Sequence, residues 1–313
     1  VERRTRVMST APAFAPFRCA ALVGKHHESI SGSALHASRA ALLDVHAFLQ
    51  ELGLHVLVEA ECARALWLEA VGCDVARVDE LGRRADVGVA VGGDGTMLGL
   101  ARQMAPFGMP LIGINQGRLG FVTDIALDQY RHLLPPMLLQ GRYESDERAL
   151  MHGRVLREGA CVFEALAAND VVVHRGAAAS MVELEAHADG RFIARYRADG
   201  LIVATPTGST AYSLSLNGPL VSPDCPVLLI TPIAPHSLSM RPIVLPDTVT
   251  LQLKVFSRSS TFMLVTDGNV AVFPTGTPLT IARAKHPVRL IRLSNHTFAD
   301  TLREKLHWGQ NLR

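Results

Sequence analysis

Val87-Gly88-Val89-Ala90-Val91 runs into Gly92-Gly93-Asp94-Gly95-Thr96 and then into Met97-Leu98-Gly99-Leu100-Ala101-Arg102-Gln103-Met104. The first stretch carries no polar face, the mark of a strand buried on both sides. The last places apolar residues at 97, 100, 101 and 104, the spacing of a helix lying on a sheet. Between them sits a turn with three glycines and one carboxylate. Glycines here let backbone N–H groups come close to an anion and supply the dihedrals of a sharp turn. A carboxylate repels phosphate, so Asp94 makes more sense as a general base or as a contact through Mg²⁺. Read bare, the motif also fits a tight turn in which Asp94 caps the following helix.

On either side of this stretch strand and helix patterns alternate. Residues Cys19 to Gly24 read as a strand. Ser38 to Leu52 read as an amphipathic helix with Ala41, Leu42, Val45, Phe48, Leu49 and Leu52 on one side and Gly53 at its end. Leu54 to Val58 follow as a strand, Glu59 to Glu69 as a helical stretch, and Pro110 to Ile114 as another buried strand. Such alternation predicts a parallel, doubly wound, Rossmann-like α/β sheet. Asn115-Gln116-Gly117-Arg118-Leu119-Gly120 is a second glycine-containing turn after a strand. Both turns then fall at the carboxyl ends of strands, where such sheets bind ligands. Over residues 128–140 the pair Pro135-Pro136 predicts two short pieces rather than one helix, because proline lacks the N–H and clashes with the preceding turn.

From about residue 149 the pattern changes. Met181 to Ala186 alternates, Asp189-Gly190 signals a hairpin, and Arg191 to Arg197 returns as the partner strand. Thr250 to Val255, Phe262 to Thr266 and Val288 to Leu293 extend a mainly β half, interrupted by Pro206 to Leu216. Phe298 to Trp308 reads as a helix that packs back on the first unit. The expected organisation is a disordered lead over 1–17, an α/β nucleotide-binding unit over 18–127 joined by 294–313, and a mainly-β, sandwich-like unit over 128–293. Met8 is a candidate start within the lead. Neither an internal repeat nor a low-complexity segment interrupts this order.

A chain of 313 residues with 48% hydrophobic and 19% charged content has the composition of an ordinary globular protein. The net charge of +2 gives no ground for nucleic acid or a membrane surface as a partner. Thirteen histidines include no His-Glu-x-x-His, so a catalytic zinc site lacks support, and no metal-ligating residues are assigned. Cysteines at 19, 62, 73, 161 and 225 are odd in number and widely spaced, as in a reduced, cytoplasmic protein. No apolar run reaches the ~18 residues that span a bilayer. Residues 1–16 lack the apolar core of a signal peptide.

The P-loop pattern Gly-x-x-x-x-Gly-Lys-Ser/Thr is absent, and Gly-x-Gly-x-x-Gly is missing from the strand–helix junctions. Phosphoryl transfer through another loop fits better than hydride transfer. A distant segment sharpens this: Ala198-Asp199-Gly200-Leu201-Ile202-Val203-Ala204-Thr205-Pro206-Thr207-Gly208-Ser209-Thr210-Ala211-Tyr212-Ser213. With Gly92 to Thr96, Gly113-Ile114-Asn115, Leu119-Gly120-Phe121, Asn169-Asp170 and Pro235 to Pro242, it makes the chain resemble the bacterial NAD kinases over roughly residues 20–310. Gly-Gly-Asp-Gly alone is shared with diacylglycerol-type lipid kinases and phosphofructokinases; the Thr-Pro-Thr-Gly-Ser-Thr-Ala-Tyr segment is far more specific.

The resemblance implies transfer of the ATP γ-phosphoryl to the 2′-hydroxyl of the adenosine ribose of NAD, giving NADP. It also implies NAD lying between the two units, ATP with Mg²⁺ or another divalent cation, and a homo-oligomer, dimer or tetramer, in which a neighbouring subunit completes the site. Asp94 would be the base, since a ribose hydroxyl needs a proton acceptor within hydrogen-bond reach. The backbones of Gly92, Gly93 and Gly95 would face phosphate, and Thr96 would donate to phosphate or cap the helix. Asn169 and Asp170 match the pair that grips NAD, although Asp170 is one methylene shorter than the Glu frequent there. Without the family, this pair reads as turn-forming residues at a strand end. Arg197 and Asp199 match positions near NAD; alone, Arg197 is a solvated hairpin charge. Thr210, Ala211, Tyr212, Ser213, Leu214 and Ser215 match the NAD-binding run, which is otherwise a hydroxyl-rich helix start. Tyr212 suits stacking on a base or a place at the rim.

Two positions depart from the family. Ser180 stands where His or Arg is frequent, and Asn269, after Asp267-Gly268, where some relatives have Gln. His236 lies in a family-typical segment but reads as a buried, satisfied histidine. Two rival readings share these features: a lipid or sugar kinase with the same loop, and a non-enzymatic dinucleotide sensor.

Overall fold

Valine-rich strands need apolar cover on both faces, and the chain supplies it by alternation. In a computed structural model, which describes residues 15–25, 32–117, 120–176, 181–292 and 297–309, Val87–Gly92 is a fully buried strand. Val87, Val89 and Val91 face one core with Leu42, Val45, Leu49 and Tyr130, while Ala90 faces another with Met97, Leu100 and Met104. That is the period-2 division of a strand between two layers. The helix Asp94–Met104 buries Met97, Leu100, Ala101 and Met104, the four positions its spacing predicts.

The central sheet runs Asp74–Ala76, His55–Glu59, Cys19–Gly24, Val87–Gly92, Pro110–Asn115, Val288–Arg292 and Glu144–Arg148, with Ile125–Ala126 beside Pro110–Asn115. Its pairs are parallel except the last, Val288–Arg292 with Glu144–Arg148. Strand order reverses between Cys19–Gly24 and Val87–Gly92, which opens a crevice at the carboxyl end of Val87–Gly92. Asp94 stands there.

This sheet does not stop at residue 127. Pro110–Asn115 would otherwise be an edge of unpaired N–H and C=O groups; Val288–Arg292 pairs with its start and Ile125–Ala126 with its end. The proline-bearing stretch is also one helix, Tyr130–Gln140, rather than two pieces. Its packing compensates the missing N–H groups: Tyr130, Leu134, Met137 and Leu138 enter the first core. Tyr130 also packs edge-on against Phe48 at 5.3 Å and donates to Asp44 at 2.5 Å. By contrast, the stretch expected to be helical from Glu59 to Glu69 is shorter. Its helix, Ala60–Ala65, is capped by the Glu59 carboxylate and stops where Trp67 takes a φ of 51°.

The second half is two antiparallel sheets. One runs Ile243–Pro246, Val227–Ile233, Gly200–Ala204, Asp170–His174, Thr261–Thr266, Asn269–Pro274; the other runs Arg191–Ala198, Val182–Ala188, Leu251–Phe256, Pro278–Arg283, Met151–Arg157, Ala160–Ala167. Val171, Val173, Leu201 and Val203 of the first meet Leu184, Leu253, Val255 and Ile281 of the second in one core. The architecture is therefore a parallel α/β layer joined to a β-sandwich. After it, Thr297 and Asp300 form a capping box that starts the helix Phe298–Leu306. Among the described residues no helix is long and apolar enough to cross a membrane. The expected lead falls outside the described residues up to 14.

Candidate active site at the glycine loop

Asp94 does not cap its own helix; its N-cap position is Gly93, without a side-chain bond. The carboxylate instead reaches across to the segment after the second glycine turn. Oδ2 accepts from Phe121 N at 2.8 Å, and Oδ1 accepts from Val122 N and Thr123 N at 3.2 Å and from Thr123 Oγ1 at 2.8 Å. The Thr123 hydroxyl is oriented in turn by Asn115, whose Nδ2 donates to it at 2.7 Å and whose Oδ1 accepts from Gly117 N at 2.7 Å. The two glycine turns therefore form one unit. Lys305, on the last helix, lies within reach of the Asp94 charge; burial holds its amine below the ordinary range, and Glu304 and Asp94 oppose that.

The three glycines of the first turn serve space rather than dihedral freedom, since none has a positive φ. A Cβ on Gly92 would meet Thr96 Oγ1 at 2.3 Å, whereas Gly93 and Gly95 face open space. An anion can approach the last two. Thr96 closes the turn with its own N–H on Gly93 O at 3.0 Å.

Asn169 and Asp170 sit at the start of the strand Asp170–His174. Their backbone is held by a residue that sequence reading passed over. Asp267 Oδ2 accepts from Ala168 N at 2.7 Å, and Oδ1 accepts from Asn169 N at 2.9 Å and Asp170 N at 3.0 Å. The same carboxylate pairs with Arg102 Nη1 at 2.8 Å. Asp170 itself is buried, and this burial, helped by the Asp267 charge, pushes its carboxyl up to about 7.

The hydroxyl-rich turn stacks onto the same backbone. Thr205 N donates to Asn169 O at 2.9 Å, and Thr205 Oγ1 donates to Ala168 O at 2.5 Å. A Cβ on Gly208 would lie 2.1 Å from Asn169 O, so only glycine admits this contact. Several hydroxyls here are spent internally. Thr210 Oγ1 donates to Thr207 O, and buried Ser213 bonds Thr231 Oγ1 at 2.8 Å. Ala211 and Leu214 are half-buried, while Tyr212 and Ser215 are exposed. Behind the turn, Arg148 joins Asp146 at 2.5 Å, and Arg292 joins Asp124 at 3.1 Å and Asp146 at 3.5 Å. Arg148 Nη1 reaches Thr207 Oγ1 at 3.5 Å, so this network links the turn to the loop that Asp94 holds.

Arg197 and Asp199 lie elsewhere. Register pairs Asp170 with Ala204 but His174 with Gly200, which puts Asp199 past the far end of that strand pair. Four residues of strand separate the two ends, about 13 Å. Asp199 Oδ1 pairs with Arg175 Nε at 3.0 Å, and exposed Arg197 lines a cleft of about 620 Å³ with Arg195, Phe256 and Arg258. His236 is exposed rather than buried, its N–H bonded to Arg197 O, because Pro235 to Pro242 forms a surface loop. Asn269 is exposed beside the Asp267-Gly268 turn, and Ser180 lies outside the described residues.

Two family models match the chain, the N-terminal domain of ATP-NAD kinase over residues 43–143 and its C-terminal domain over residues 168–293. The chain belongs to the ATP-NAD kinase family. An NAD kinase of Variovorax paradoxus is 46% identical over 297 residues, 94% of this chain and 98% of the relative. One of Delftia acidovorans is 47% identical over 294 residues, with the same coverage of 94% and 98%. A yeast NADH kinase crystallised with NADH has the same fold at 23% identity, with a TM-score of 0.84 over 95% of this chain and 89% of that one. An NAD kinase from Archaeoglobus fulgidus in complex with ATP gives 0.66 over 88% and 94%, also at 23% identity.

For this member of the kinase family, the residues that sequence reading missed are Thr123, Arg102, Asp267, Arg148 and Arg292. Asp267-Gly268 does carry a local signal, the Asp-Gly pair of a tight hairpin turn, in which Asp267 takes a φ of 45°. What ties the rest to the site are partners far along the chain, Asp94 for Thr123, Asp267 for Arg102, Thr207 for Arg148 and Asp124 for Arg292.

Proposed function

We propose that this kinase transfers the γ-phosphoryl of ATP to the 2′-hydroxyl of the adenosine ribose of NAD, giving NADP, with Asp94 as general base. The ribose oxygen forms the new P–O bond, the bond to the ADP oxygen breaks, and the ribose proton passes to Asp94. One observation carries the base: Asp94 stands in the switch-point crevice beside two glycines open to an approaching anion. Its four accepted bonds hold it in one orientation. An incoming hydroxyl takes the place of a 3.2 Å bond, the weaker kind in this set. A carboxylate so engaged has little left for a cation, which fits Mg²⁺ or another divalent ion carried by the phosphates of ATP as part of that substrate. Asn169 and Asp170 grip the dinucleotide on the sandwich side.

Arg197 and Asp199 enter through assembly. In a homo-oligomer, the assembly the family resemblance implies, they meet NAD bound to a second copy. The five free cysteines agree with a reducing compartment, and we read the enzyme as cytoplasmic.

The test is purified protein with ATP, Mg²⁺ and NAD, followed for NADP. Formation of NADP, with turnover at least a hundredfold lower in Asp94→Asn and NAD affinity within threefold, supports the reading. Phosphorylation of diacylglycerol without NADP overturns the substrate, and full turnover in Asp94→Asn overturns the base.

A further inference from the structure

Arg102 and Asp94 belong to one helix, eight residues and about 12 Å apart. Asp94 lies at its start in the crevice; Arg102, near its other end, reaches the sandwich. There its Nη1 meets Asp267 Oδ2 at 2.8 Å, with 20% of the Arg102 side chain exposed and 1% of Asp267. Asp267 also takes three consecutive backbone N–H groups, those of Ala168, Asn169 and Asp170, and returns its own N–H to Asp170 O at 3.1 Å. The backbone of the Asn169–Asp170 pair is thus wrapped around one buried carboxylate. Three N–H dipoles solvate that charge, and Arg102 neutralises it. Removing one partner of such a pair leaves a buried charge uncompensated, which the surrounding backbone must move to relieve.

We propose that Arg102 and Asp267 are a positioning pair for the dinucleotide: they fix the Asn169–Asp170 backbone to the helix that carries Asp94, so that NAD binding depends on a side chain touching neither substrate. This rests on the NAD kinase reading above. It differs from a purely structural ion pair in its selectivity between substrates. The ATP-facing glycines precede Arg102 on the other end of the helix and keep their own contacts when the pair is broken.

The experiment measures NAD affinity by calorimetry, and KM for NAD and for ATP, on the full chain with Arg102→Met, Arg102→Lys and Asp267→Glu. Arg102→Met raises the NAD dissociation constant and KM at least tenfold and leaves KM for ATP within twofold. Arg102→Lys, which keeps a charge in reach of Asp267, recovers most of that loss. Asp267→Glu keeps the charge but displaces it by a methylene, and weakens NAD binding tenfold even if Arg102→Met does not fold. NAD affinity within twofold of wild type in Arg102→Met or Asp267→Glu overturns the proposal, as does an equal rise in both KM values. Wild-type protein that binds NAD without forming NADP would end the kinase reading while leaving this calorimetric test intact.

Discussion

Gly120 lies so close to Asp94 that a Cβ on its backbone would stand 1.8 Å from Oδ1 and 2.3 Å from Cγ. The carboxylate fills the space a side chain would take, and the bonds from residues 121–123 hold it there. Gly120→Ala therefore has to push out either Asp94 or the loop. The expected outcome is a stability loss of about 1–3 kcal/mol, the usual cost of overpacking. Turnover falls more than tenfold, because the group displaced is the proposed base. Denaturant unfolding and NADP formation check the two effects separately.

Gly95 makes the opposite case. Nothing lies within 4 Å of a Cβ built there, its φ is not positive, and it sits in the first turn of the helix Asp94–Met104. Alanine in a helix is favoured over glycine by about 0.5–1 kcal/mol, so Gly95→Ala should melt at or above the wild-type temperature. If its backbone faces phosphate, the same methyl raises KM for ATP severalfold. A variant more stable and poorer with ATP is the expected result; unchanged KM for ATP would remove phosphate from this face.

The strand, turn and helix over 87–104 were legible because their pattern is local: alternation for the strand, i, i+3, i+4, i+7 for the helix. What was not legible depends on partners far along the chain. Glu144–Arg148 is too polar to read as a strand, and it forms because Val288–Arg292 offers an edge. Pro135 and Pro136 forbid two intrahelical bonds, yet Tyr130 packing on Phe48 holds the helix together. The same holds at the site. Asp94 was visible as a carboxylate in a glycine turn, but its bond to Phe121 spans 27 residues and that of Asp267 to Asn169 spans 98. Resemblance supplied Arg197 and Asp199; strand register is what separates them from Asn169.

Asp170 should make stability depend on pH in a direction opposite to most carboxylates. Its carboxyl is raised to about 7 in the folded chain by burial and then by Asp267, against about 3.9 when unfolded. The folded state therefore binds more protons between these values, and stability falls as pH rises from about 4 through 7. Three pKa units correspond to about 4 kcal/mol at most. Asp170→Asn carries no charge and should lose this slope, so that unfolding at pH 8 requires more denaturant than in wild type. At pH 4 the two should agree within about 1 kcal/mol. Parallel pH profiles for the two proteins would place the ionised form of Asp170 at no disadvantage in the fold.

Subunit mixing tests whether Arg197 and Asp199 serve a neighbour's site. The strand from Gly200 to Ala204 stands between them and the Asn169–Asp170 end, so within one chain the two groups lie at opposite ends of that strand pair. Asp94→Asn and the double variant Arg197→Ala, Asp199→Asn should each be nearly inactive alone. In a mixed oligomer that shares sites, one site collects both lesions and its counterpart has none. Co-refolding the two in equal amounts should then restore NADP formation to a sizeable fraction of wild type, about a quarter for random pairing into dimers. Half of the dimers are then mixed, and each of those has one intact site of two. Activity no higher than the average of the two parents would mean that each chain uses its own Arg197 and Asp199, or neither.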